Sequence, residues 1–261
     1  MDLGIAGRSA LVLGAGGGLG SAIALGLAAE GARIAVADIS TAAIESTLER
    51  LKAFAAPAIG LPWNLADPSV VGGNIARIEA ELGPVDILVN ITGGPPPGAV
   101  EQIDREGWIS HFESMVLPVF AITGAVLPGM RQRQWGRIIT STSSGVIAPI
   151  PNLALSNALR SSLIGWSKSL AREVARDGVT CNIVVPGRIM TQRIMQLDRA
   201  KAERDGTPVE EVAAASTASI PVGRYGRPEE YADAVAFLAS DRAAYITGSI
   251  VRVDGGLIAS I

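Results

Sequence analysis

Glycines at 14, 18 and 20, with an aspartate at 38, are the residues whose types and spacing most directly imply chemistry. Residues 13–20 read Leu-Gly-Ala-Gly-Gly-Gly-Leu-Gly and run into the helical pattern Ser-Ala-Ile-Ala-Leu-Gly-Leu-Ala-Ala-Glu at 21–30. Glycines permit a tight turn and let backbone N–H groups approach an anion at the start of a helix. A pyrophosphate is the ligand such a turn suits. A Gly-x-Gly-x-x-Gly pattern counted from Gly14 fails, because Leu19 occupies its last position; Gly-x-x-x-Gly-x-Gly fits Gly14, Gly18 and Gly20. Glycine-rich turns also serve simple packing, but the placement between a first strand and a first helix favours a nucleotide.

Asp38 closes the second apolar run. A carboxylate there accepts hydrogen bonds from ribose hydroxyls and repels a 2′-phosphate; an ordinary strand-end or helix-capping aspartate is the plainer alternative. No Arg or Lys stands in the glycine turn or immediately after Asp38. The expected cofactor is therefore NAD in preference to NADP.

Other reactive types are sparse. Ser141, Thr142, Ser143 and Ser144 cluster at the end of the fifth apolar run, where open α/β sheets meet ligands. Some of these hydroxyls are expected to cap backbone groups. Histidine is the side chain suited to proton transfer near neutral pH, which makes His111, the one histidine, a candidate, although a surface or interface role explains it as well. Arg188 could meet a substrate carboxylate or form a salt bridge. Residues 93–98, Gly-Gly-Pro-Pro-Pro-Gly, make a stiff loop that could wall a pocket or only rigidify a turn. The single cysteine, Cys181, lies in an apolar strand-like run and reads as a buried structural thiol.

Short apolar runs at 9–13, 33–37, 58–62, 85–91, 137–141, 179–185 and 249–253 must position these groups. Helical stretches at 19–30, 41–54, 69–82 and 152–176 alternate with them. Continuous apolar strands separated by helices predict parallel strands covered on both faces. Right-handed crossovers then give an α/β, Rossmann-type doubly wound sheet of about seven strands with helices on both faces. With no repeat, linker or composition break, one domain over 1–261 is expected. Residues 191–223 are the least regular and are expected as a mobile cover over the site or a surface insertion.

The chain has 261 residues, 48% of them hydrophobic, and a net charge of −3. That balance gives no electrostatic case for nucleic acid or an anionic membrane. One cysteine excludes an intrachain disulfide and fits a reducing compartment. The uncharged run 114–130 is short for a membrane helix and contains Pro118 and Pro128. A cytoplasmic protein without a metal is expected, acting on a small molecule. The uncharged run suits a subunit interface, hence a homodimer or homotetramer.

Motifs along nearly the whole chain resemble the short-chain dehydrogenase/reductase family, in a divergent branch similar to 3-oxoacyl-carrier-protein reductases. Besides the glycine turn, these are Val-Asn-Ile-Thr-Gly-Gly at 89–94, Pro-Gly-Arg-Ile-Met-Thr at 186–191, Gly-Arg-Pro-Glu-Glu at 226–230 and Ile-Thr-Gly at 246–248. The resemblance implies cofactor contacts at Gly14, Gly18, Leu19, Gly20, Asp38, Asn64, Leu65, Asn90, Gly93, Arg160, Pro186, Gly187, Ile189 and Thr191. It also places the family's carbonyl-polarising serine on Ser143. The family's catalytic tyrosine and lysine fall on Ser156 and Arg160, and its water-holding asparagine on Met115.

Ser156 is a far weaker acid than a phenol and shorter by a ring, so it needs a water to reach a substrate placed for tyrosine. Arg160 can hold ribose hydroxyls but cannot readily join a proton relay. Met115 offers no hydrogen bond, and Pro118 is expected to kink its helix. An oxidoreductase with a rewired proton path, using Ser143, Ser156 and Arg160, is the leading expectation. A nucleotide-binding pseudoenzyme or regulatory subunit is the alternative, and a non-redox lyase or isomerase a third.

Overall fold

The computed structural model describes residues 2–261. Its strands are β1 (Ser9–Leu13), β2 (Arg33–Asp38), β3 (Ala58–Pro62), β4 (Val85–Asn90), β5 (Gly136–Ser141), β6 (Val179–Pro186) and β7 (Ile250–Val253). They form one sheet in the order β3-β2-β1-β4-β5-β6-β7, parallel throughout. Every residue of β1, β4 and β5 is buried, as unbroken apolar runs covered on both faces require. Alternate side chains leave a strand on opposite faces, and the two cores divide accordingly.

Val12, Val36 and Val89 pack with Ile23 and Leu27 of α1 (Gly18–Ala29), Ile44 of α2 (Thr41–Leu51) and Val235 of α9 (Pro228–Leu238). Leu11, Leu13 and Leu88 pack on the other face. Their partners are Ile78 of α3 (Val71–Leu82), Ile122 of α5 (Leu117–Gln132) and Val174 of α6 (Ala154–Val174). The expected architecture holds, with element ends moved by a few residues: α2 stops at Leu51 and β4 at Asn90.

Two expectations change form. The 105–132 stretch is two helices, α4 (Arg105–Met115) and α5, because Pro118 has no amide for the helix before it and sits instead in the first turn of the next. Together they span 28 residues and are long and apolar enough to cross a membrane by length and composition. Met115, Val116, Val119, Ile122, Val126 and Met130 are, however, buried in the protein's own cores.

Residues 191–223 are not irregular. They hold α7 (Gln192–Asp205), whose amino end is capped by Thr191 accepting from the Ile194 N–H, and α8 (Val209–Ala218). Gly206, with φ of 65°, ends α7 in the left-handed conformation that glycine favours.

The sheet positions a site at its carboxyl edge. β1 lies between β2 and β4, and the chain leaves β1 and β4 toward opposite faces, which opens a crevice at this switch point.

Candidate active site

The crevice begins at the glycine turn. Gly14 has φ of 62° and Gly18 of 52°, and a Cβ added to Gly20 would lie 2.1 Å from the Gly14 carbonyl oxygen. Only glycine allows the helix start to approach the strand end this closely. α1 then begins without a side-chain cap, so its first amides remain available to an anion.

Asp38, at the end of β2, accepts from the Gly16 N–H and the Ser40 N–H, each at 3.0 Å. It thus braces the turn and also lines the crevice; the capping and the ligand-facing readings describe the same side chain.

The crevice is a cavity of about 1610 Å3, larger than the ~300–1,000 Å3 typical of a single small-ligand site. One end is walled by Gly14, Gly18, Leu19, Gly20, Asp38, Asn64 and Leu65. Gly93, Ser143, Ser156 and Arg160 form the middle, and Pro186, Gly187, Ile189 and Thr191 the side nearest α7. Asn90 is not part of this wall. It is fully buried behind it, its amide donating to Thr140 Oγ1 at 3.2 Å, and so ties the ends of β4 and β5 together.

Ser143 caps a short 3-10 turn, its Oγ accepting from the Gly145 N–H at 3.2 Å. The hydroxyl proton is left free to donate to a substrate oxygen. Ser156, in the first turn of α6, is buried, and among the described residues its hydroxyl has no hydrogen-bond partner.

One helical turn on, Arg160 Nη2 donates to the carbonyls of Thr92 at 3.2 Å and Gly93 at 3.0 Å. Burial pushes this guanidinium down to about 10, with the Arg193 charge adding to the effect, so it remains charged at neutral pH.

The remaining candidates divide clearly. Met115 packs in an apolar cluster with Leu155 and Leu159, so no polar side chain stands at its position. Its neighbour Ser114 lines the crevice, but that hydroxyl donates to the Ser110 carbonyl at 2.9 Å. His111 lies off the wall, with Nδ1 2.8 Å from the carbonyl of Gly107 on its own helix.

Ser141 is bonded at 2.7 Å to the Tyr231 hydroxyl, which is itself buried and held well above the usual phenol range. Among the described residues no tyrosine lines the crevice. Arg188 is neutralised by Asp198 at 3.1 Å, and Asp198 also accepts from the Tyr225 hydroxyl at 2.6 Å. Cys181 is buried, and burial raises its thiol to about 11.

Arg193 was not legible as a site residue. It projects from the first turn of α7, lines the crevice and donates through Nη2 to the Pro95 carbonyl at 2.8 Å. Only the packing of α7 against the 93–97 loop brings it there.

A family model described as enoyl-(acyl carrier protein) reductase matches residues 14–258, nearly the whole chain. The chain belongs to the short-chain dehydrogenase/reductase family. It is 41% identical to the 3-oxoacyl-[acyl-carrier-protein] reductase FabG of Escherichia coli (strain K12) over 254 residues, 96% of this chain and 97% of that one. Identity to the 2,3-dihydro-2,3-dihydroxybenzoate dehydrogenase of Bacillus subtilis (strain 168) is 34% over 257 residues, covering 97% of each.

Among solved structures, the L-sorbose reductase of Gluconobacter frateurii, complexed with NADPH and L-sorbose, superposes with a TM-score of 0.94. Identity is 29%, over the full length of both chains. The short-chain dehydrogenase/reductase fold, its nucleotide cleft and its oxidoreductase class are therefore those of this chain.

Proposed function

We propose that the protein is an NAD-dependent short-chain oxidoreductase that interconverts a carbonyl and an alcohol through an altered proton path. The observation that supports it is that Ser143, Ser156 and Arg160 share one cavity with the glycine turn and Asp38. The turn fits a dinucleotide: the close approach of Gly20 to Gly14 would be filled by any Cβ, and the open amides of α1 suit a pyrophosphate. The nicotinamide ring, when bound, supplies or accepts the hydride.

The chain's own groups do the rest. Ser143 donates to the carbonyl oxygen, with its own lone pair already satisfied by Gly145. Ser156 passes a proton through a water, since its oxygen stops one bond past Cβ. Arg160, clamped to Thr92 and Gly93, holds ribose hydroxyls and keeps the local potential positive. α7, which lines the cavity from Gln192 to Arg204, acts as the lid over the substrate. The exposed Leu117 of α5, beside exposed Ala121, Gly124 and Ala125, gives the uncharged face of a homo-oligomer.

The sorbose reductase carries NADPH, whereas Asp38 argues for NAD here. Its carboxylate faces the site with no Arg or Lys beside it on the wall at 37–39 or 63–66. Titration calorimetry should give micromolar NADH binding and NADPH at least tenfold weaker. Asp38→Asn keeps an acceptor for the Gly16 N–H while removing the charge, and should close most of that gap. Equal affinities in the unaltered protein would refute the NAD assignment.

One observation favours a second reading, a nucleotide-binding pseudoenzyme: among the described residues no tyrosine lines the crevice, and Met115, which the resemblance sets at the family's water-holding position, lies in an apolar cluster. The Ser156→Tyr, Arg160→Lys double variant separates the two. If a native carbonyl-reducing activity exists and collapses, Ser156 and Arg160 are working parts. If the unaltered protein binds NADH without turnover and the variant gains ketone reduction, the pseudoenzyme reading stands.

A further inference from the structure

We infer that the substrate of this site carries an anionic group, a carboxylate or a phosphate, held by Arg193 together with Arg160. The inference rests on the oxidoreductase reading and names the substrate class within it.

Charge distribution points there first. The protein is acidic overall, at −3, yet Arg160, Arg188, Arg193, Lys201 and Arg204 all line the crevice. Asp38 is the one acidic residue on its wall, at the nucleotide end. A cleft lined by one sign of charge concentrates ligands of the other. The cofactor's pyrophosphate does not account for these cations, because backbone amides at the glycine turn serve it.

Two of the five are already neutralised. Arg188 pairs with Asp198 at 3.1 Å and Arg204 with Asp205 at 2.9 Å. Arg160 and Arg193 have only neutral carbonyl partners among the described residues, and these lie on one short loop. Arg160 takes Thr92 and Gly93, and Arg193 takes Pro95. Gly94, in the same loop, leaves room for Arg193: a Cβ there would lie 3.1 Å from its guanidinium.

Each arginine commits only Nη2 to the loop, which leaves the other N–H groups of both forks available. Two like charges, one buried and one half-buried, are unfavourable without a counter-charge. An oxyanion between planar forks is the partner they fit.

The test is calorimetric titration of the full chain, with and without saturating NADH, at constant ionic strength. Acetoacetate is compared with methyl acetoacetate, and dihydroxyacetone phosphate with dihydroxyacetone. At least one anion should bind tenfold or more tightly than its neutral counterpart, and the pair that shows the margin distinguishes carboxylate from phosphate. Arg193→Gln should abolish the margin, and Arg193→Lys, which keeps a point charge, should restore part of it.

Equal binding within both pairs, no binding by either anion, or a margin that persists in Arg193→Gln overturns the inference. NADH binding in the same series keeps the two readings apart. NADH bound without an anion margin removes the anion site alone. An anion margin without NADH binding removes the oxidoreductase reading and leaves the anion site.

Discussion

Gly20→Ala is expected to abolish useful dinucleotide binding. The new Cβ would lie 2.1 Å from the Gly14 carbonyl oxygen and 2.7 Å from its carbon, both backbone atoms that no rotamer change can move aside. The turn must open or α1 must retreat from β1, and either displaces the amides that face a pyrophosphate. Overpacking of this kind costs about 1–3 kcal/mol of stability. If a comparable loss falls on the bound state, NADH affinity drops by ~10–100-fold. Thermal unfolding should therefore begin at a lower temperature, and NADH should no longer raise it. A variant that still gains full thermal protection from NADH would show that the turn does not hold the cofactor.

Ser143→Ala should leave NADH affinity nearly unchanged and lower kcat by ~10²–10³-fold, the usual cost of one donor aimed at a developing oxyanion. The structure makes this separation sharp. The Ser143 hydroxyl caps a single amide, that of Gly145, so its loss barely disturbs the fold. The nucleotide end of the crevice is built by other residues. Ser156→Ala should cost less, because a water can occupy the space of a short hydroxyl. Stopped-flow measurement of NADH oxidation with any accepted carbonyl compares the two variants. A Ser156→Ala loss exceeding that of Ser143→Ala would reverse the assigned roles.

The strands were legible because each is an apolar run covered on both faces, and the glycine turn because no other residue type tolerates its geometry. What escaped depends on contacts between distant segments. From sequence Asp38 is either a ligand or a cap; it lines the crevice and also braces the glycine turn, which shows only once the Gly16 amide lies 3.0 Å away.

The helices at 191–223 were hidden because α7 buries only Asp198 and Ala202, so its apolar stripe is thin. Arg193 was invisible for the same reason: nothing local links it to a loop almost one hundred residues earlier. Asn90 was expected at the cofactor from its motif, yet the final residue of a buried strand turns inward to Thr140. Met115, expected to offer no hydrogen bond, lies in an apolar cluster, a packing that its sequence neighbourhood does not announce.

The strand order also sets when the crevice exists during folding. β1 is made first but sits in mid-sheet, paired with β2 and with β4, whose last residue is Asn90. At the far side β6 is completed only by β7, and Gly187 packs so tightly on Asp254 that a Cβ there would lie 2.6 Å from its Cα. Leu257, Ile258 and Ala259 supply part of the wall.

Such long-range parallel pairing folds slowly. A nascent chain stalled before residue 250 would hold the glycine turn and still lack one side of the cavity. Cofactor capture is then a report that the whole chain has folded, and it stabilises only that finished state.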